Sequence, residues 1–88
     1  MMRLELEKSF RKKSKKLLLK IPSLKATYED ILQKLATDPF DPALHTHALA
    51  GALKGRYACS LTYDLRIVFR LYDDIVHLLD VGDHDEVY

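Results

Sequence analysis

An α+β fold in the order β-α-α-β-β-β, with a two-helix hairpin packed on one face of an antiparallel sheet, is predicted by three features of the sequence. Residues 57–81 contain three short runs of strand-like alternation. Their separators, Thr62-Tyr63-Asp64 and Asp73-Asp74, are short enough to force antiparallel hairpins. Residues 7–35 instead repeat their apolar side chains at helical spacing, with a proline break in the middle.

In chain order, residues 2–6 alternate as a first strand added to the later meander. A helix opens at Glu7 and runs through EKSFRKKSKKLLLK. It places Leu6, Phe10, Leu17 and Ile21 near one face and Lys12, Lys13, Lys15, Lys16 and Lys20 around the remainder. Ile21-Pro22-Ser23 breaks this helix and restarts another, because proline suits a first helical turn. Leu24, Tyr28, Ile31, Leu32 and Leu35 give the second helix its apolar stripe. Asp38-Pro39-Phe40-Asp41-Pro42 ends it, since residues before proline avoid the α region. A loop with room for a helical turn then carries His45 and His47 into Gly51 and Gly55.

The strand parity sorts the faces. Tyr57, Cys59 and Leu61 share one face with Leu65, Ile67, Phe69 and Leu71; Arg56, Arg66, Val68, Arg70 and Tyr72 take the other. Residues 75–81 are apolar on both faces apart from His77 and Asp80, as a central strand would be. The arginine face, with Lys54 nearby, suits a phosphate backbone, and it equally suits simple solvation of an open sheet.

The 88 residues are expected to form one domain, 1–88. No apolar run is long enough to span a membrane and the charged N-terminus is unlike a signal peptide, so a cytoplasmic location is expected. The lone Cys59 excludes an internal disulfide and offers no zinc framework; a buried strand position is its natural place. Charge is divided. Residues 1–25 hold nine Lys or Arg against Glu5 and Glu7, whereas residues 26–88 hold five against eleven acids. The basic part is either a solvated helix surface or an electrostatic arm for RNA or an acidic protein.

The element order, together with His47-Ala-Leu-Ala-Gly51, Tyr63-Asp64-Leu-Arg66-Ile-Val-Phe69 and Val81-Gly82-Asp-His84-Asp-Glu-Val-Tyr88, resembles the RelE/ParE superfamily of bacterial type II toxin–antitoxin toxins. It is closest to the YafQ-like branch. That resemblance implies an mRNA endoribonuclease that needs no metal or other cofactor, acts on the ribosome to inhibit translation, and is silenced by a cognate antitoxin. In such chemistry the ribose 2′-OH attacks the adjacent phosphorus, a base takes its proton, an acid protonates the departing 5′-oxygen and a cation stabilises the phosphoryl charge. Histidine suits the proton transfers because a free imidazole titrates near pH ~6.5.

Carried over position by position, the resemblance implies His84 as acid or base, His47 and Asp64 as the supporting pair, and Arg66 as the phosphate-binding catalytic cation. It implies Tyr88 as the terminal aromatic that meets a base, with Lys54, Arg56 and Arg70 holding RNA. The bland counterparts are Asp64 as a turn former, Tyr88 as terminal packing, and His45 and His77 as bystanders. Two positions depart from the branch pattern. Ser60 stands where a histidine is expected, and Asp80 where an arginine is expected, so a phosphate would meet an acid instead of a cation. Either Arg66 and Arg70 supply that charge, or activity is weakened. The alternatives are a ParE-like toxin that poisons DNA gyrase, and a catalytically degenerate antitoxin-binding module.

Overall fold

The computed structural model describes residues 1–88. Along the chain it has strand β1 (Arg3–Leu6), helices α1 (Lys8–Lys20) and α2 (Lys25–Thr37), and a two-residue strand β2 (His47–Ala48). Strands β3 (Tyr57–Ser60), β4 (Leu65–Tyr72) and β5 (Ile75–Asp83) follow, then the one-turn helix α3 (His84–Val87). The strands form one five-stranded sheet in the order β1-β5-β4-β3-β2.

The three-stranded meander is where the alternation places it, and its parity holds. Cys59, Ile67 and Phe69 are fully buried in the main core with Val76, Leu78 and Val81 of β5. Phe10 of α1 and Tyr28, Ile31 and Leu35 of α2 close over them. The helical hairpin therefore covers the apolar face as expected. A buried hydrogen bond from the Tyr28 hydroxyl to Ser14 Oγ (2.9 Å) ties the two helices together across the Phe10–Tyr28 ring stack. Such a bond stabilises because both hydroxyls would otherwise be dry and unpaired.

Four details correct the expectations. The sheet is mixed instead of wholly antiparallel: β1 runs parallel to β5, with Leu4 opposite Val76 and Leu6 opposite Leu78. The chain between β1 and β5 is long enough for this, whereas a tight hairpin permits only antiparallel neighbours. Ile21 lies 38% exposed instead of on the apolar stripe. The helix ends at Lys20 and Ile21 leaves helical geometry (φ −127°, ψ 78°), which turns its side chain out of register. Leu17 and Leu32, placed on the apolar stripes that should be buried against the sheet, are only half-buried at the core's margin. Finally, the tail after β5 is the helix α3, whose Val87 packs on Ala58 and Val68 of the opposite sheet face. That face is thus only partly open.

β5 is central, between β1 and β4. A β-bulge explains why it is apolar on both sides. Val68 pairs with Asp80 and Phe69 with Leu78, leaving Leu79 extra. The added residue flips the parity, so Leu78 and Val81 face the same core. Beyond Leu6, α1 takes over as the neighbour of this edge. Glu7 N–H donates to the Leu78 carbonyl (2.9 Å) and Ser9 Oγ to that of Leu79 (3.2 Å).

Cys59 occupies the centre of this layer, fully buried. Burial pushes its thiol from 9.0 up to about 12, against the lowering pull of Arg66 and of the Ile67 backbone. The folded state then holds this proton more tightly than the unfolded chain. Stability is untouched below about pH 9 and falls as pH rises toward 12, by up to roughly 4 kcal/mol for three pKa units. Cys59→Ala should therefore show a shallower fall of melting temperature above about pH 9 than the parent, whereas at neutral pH it loses only what the small cavity costs.

Candidate functional site

Two turns meet at one end of the sheet to make the site. The first joins β3 to β4. It is held by Leu61 N–H donating to the Leu65 carbonyl (2.9 Å) and by Leu65 N–H donating to Thr62 Oγ1 (3.2 Å). Asp64 is not what shapes this turn: its exposed carboxylate has no partner within the chain. Arg66, second residue of β4, pairs with Ser60 on one side and Gly82 on the other. Its Nη1 donates to the carbonyls of Thr62 (3.1 Å) and Tyr63 (3.0 Å), so the guanidinium braces the same turn and keeps Nη2 free.

The second turn is α3. His84 is its first residue, exposed, with no hydrogen-bonding partner for its imidazole. The ring of Tyr88 stands edge-on to it, centroids 4.5 Å apart at 90°. Burial pushes the Tyr88 phenol above its ordinary range, opposed by the nearby Arg66. It therefore stays protonated at neutral pH, a hydrogen-bond donor and stacking surface instead of a base. Between the turns opens a cleft of about 410 Å³ lined by Tyr63, Asp64, Arg66, Asp83, His84 and Asp85.

The structure thus brings Asp64, Arg66, His84 and Tyr88 together. It leaves the other sequence candidates outside the cleft. His47 pairs with Ala58, so it leaves the same sheet face as Arg66 but at the β2 edge, its Nδ1 3.2 Å from the His45 carbonyl. Lys54 is exposed in the loop before β3. Arg56 and Arg70, each next in sequence to a member of the Tyr57–Phe69 pair, project from the opposite face of the sheet, the one that carries Arg66, and the Nε of each is buried without a partner. Of the bystanders, His77 meets Glu7 through Nε2 at 2.9 Å.

Sequence reasoning missed three features. Asp83 and Asp85 line the cleft beside His84. Asp80, the acid standing where a cation was expected, is paired with Lys13 Nζ at 2.6 Å and accepts from Val81 N–H. The acid is thereby neutralised by a lysine of α1, and no local pattern announces a contact across 67 residues. A second groove is lined by Lys13, Lys16, Leu17 and Lys20 of α1 with Val81, Gly82 and Glu86, the last two adjacent in sequence to the cleft residues Asp83 and Asp85.

The fold can now be placed. The model superposes on a copper-bound mutant toxin from Helicobacter pylori with a TM-score of 0.82 at 34% identity, covering 100% of both chains. A metal-bound toxin from the same organism gives 0.81 at 32% identity, again over 100% of both. YafQ in the Escherichia coli DinJ–YafQ toxin–antitoxin complex gives 0.81 at 21% identity, over 100% of this chain and 99% of that one. These structures define the architecture as that of the RelE-like toxins.

The family model for YafQ, bacterial toxin of type II toxin–antitoxin systems, matches residues 2–88, and the chain belongs to this toxin family. No curated protein sequence matches it. Although two of these relatives carry metal, no three His, Cys, Asp or Glu side chains converge here in a metal-holding arrangement. The residues do not fit such a group.

Proposed function

We propose that this toxin is an mRNA endoribonuclease, working on the ribosome and restrained by a cognate antitoxin, with residues 1–88 acting as one domain. The observation that carries the reading is the unpartnered imidazole of His84 facing the free Asp64 carboxylate and the Arg66 guanidinium across one open cleft. The chemistry needs two proton-transfer groups and a cation around one phosphorus. His84 transfers the proton at the leaving 5′-oxygen, Asp64 assists at the 2′-OH, and Arg66 Nη2 meets the phosphoryl oxygens. Tyr88 offers its ring to a base.

The cleft's own charge does not favour RNA, since Asp64, Asp83 and Asp85 outnumber Arg66. Attraction for the phosphate backbone comes instead from the neighbouring lysine groove and, on the same sheet face, from Arg56 and Arg70 with Lys54 and His47 at its border. An acidic antitoxin segment, ordered on binding, would compete for those same cations.

Purified protein incubated with mRNA, with and without ribosomes, tests this. Products should end in a 2′,3′-cyclic phosphate and a 5′-hydroxyl, and a 2′-deoxy sugar at the scissile position should block cutting. Arg66→Ala should slow cleavage by more than about tenfold. RNA left intact at every protein concentration, on ribosomes and off them, would favour a binding toxin without nuclease chemistry.

A further inference from the structure

Helix α3 has four residues, too few to hold itself together in water, because nucleation is unfavourable and one turn gains almost nothing from propagation. Yet the candidate acid is its first residue, and the aromatic beside it follows its last. Something outside the helix backbone must set where His84 points.

Two side chains do this reciprocally. Asp83 Oδ1 accepts from Glu86 N–H at 2.8 Å, and Glu86 Oε1 accepts from Asp83 N–H at 2.9 Å, a complete capping box. Gly82 lets Glu86 fold back this far. A Cβ on Gly82 would meet Glu86 Oε1 at 2.9 Å and Glu86 Cβ at 3.0 Å, so any side chain there would displace the carboxylate. Two further contacts complete the frame: Val87 packs on Ala58 and Val68, and Tyr88 N–H donates to the His84 carbonyl at 3.1 Å. Both carboxylates are occupied by backbone N–H groups, which sets them apart from the free Asp64.

We propose that Asp83 and Glu86 are positioning residues for proton transfer at His84. They lock the terminal turn so that His84 faces Asp64 and Arg66 with Tyr88 edge-on to it. The inference rests on the nuclease reading for its kinetic consequence, while its structural consequence stands by itself. A positioning error near 1 Å is enough to slow chemistry by about a hundredfold.

The test uses Asp83→Ala, Asp83→Asn and Gly82→Ala in the full chain. Asparagine caps a helix about as well as aspartate but transfers no proton. Cleavage of a short RNA gives kcat and KM, and NMR gives the ring-current shift of the His84 imidazole caused by Tyr88. Asp83→Ala and Gly82→Ala should lower kcat by about ten- to a hundredfold with KM within about twofold, and should erase the His84 ring-current shift. Asp83→Asn should retain both rate and shift. If Asp83→Asn is as slow as Asp83→Ala while the shift survives, Asp83 acts through its charge and the positioning role is wrong. An unaltered shift in Asp83→Ala also overturns it. Should the parent cut no RNA, the nuclease reading fails alone, and the NMR arm still decides whether the box sets the ring.

Discussion

His84→Ala should abolish RNA cleavage and relieve growth arrest while leaving the protein folded, if the proposed nuclease reading holds. His84 is exposed and makes no hydrogen bond through its ring. Removing the imidazole therefore costs only an edge contact with Tyr88, within the effect expected of a surface change. The kinetic effect is of another size. General acid–base groups contribute about 10²–10⁴-fold, so the loss should reach that range, in kcat more than in KM. A decline of only a few-fold would reduce His84 to orienting the substrate. Unchanged cleavage by a folded variant would remove it from the chemistry altogether, and with it the assignment of the cleft.

Phe69→Ala has the largest expected effect on stability. Phe69 is fully buried, stacks on Tyr57 with centroids 5.8 Å apart, and pairs with both Tyr57 and Leu78 beside the bulge. Its neighbours belong to three adjacent strands, which cannot collapse inward without breaking ladder hydrogen bonds. The cavity therefore stays open, and the loss should be about 3–5 kcal/mol. In a domain of this size that is a large part of the total stability, equivalent to well over 10 °C in melting temperature at about 4–8 °C per kcal/mol. A thermal melt within a few degrees of the parent would mean that the strand parity described above is inverted.

The meander was legible because period-two alternation and two short polar separators are local signals. The α-hairpin was legible for the same reason, through its stripe and Pro22. What escaped the sequence was long-range. Parallel pairing of β1 with β5 joins residues some 72 apart, and nothing in residues 2–6 specifies the direction of the partner. The Lys13–Asp80 pair is likewise invisible locally, so Asp80 read as a missing charge. The terminal helix is a different case. Asp83-His84-Asp85-Glu86 has the spacing of a capping box, but a single turn is too short to show the apolar periodicity by which a helix is read from sequence. Within the site, Asp64, Arg66, His84 and Tyr88, which only the family resemblance singled out, lie together, whereas His47 does not reach the cleft because β2 is the sheet's far edge.

The placement of β5 between β1 and β4 bears on how the toxin comes into being during translation. Synthesis runs from the N-terminus, and β1 emerges with no strand to pair with until the last strand of the sheet has been made. The nascent chain can form its helical hairpin early, but α1 has no β5 edge to rest on and the His84 turn does not yet exist. Pairing β1 with β5 across so many residues raises the contact order, which slows completion of the sheet. The order of synthesis therefore places the helical hairpin before the cleft, whose two turns both flank strands made last.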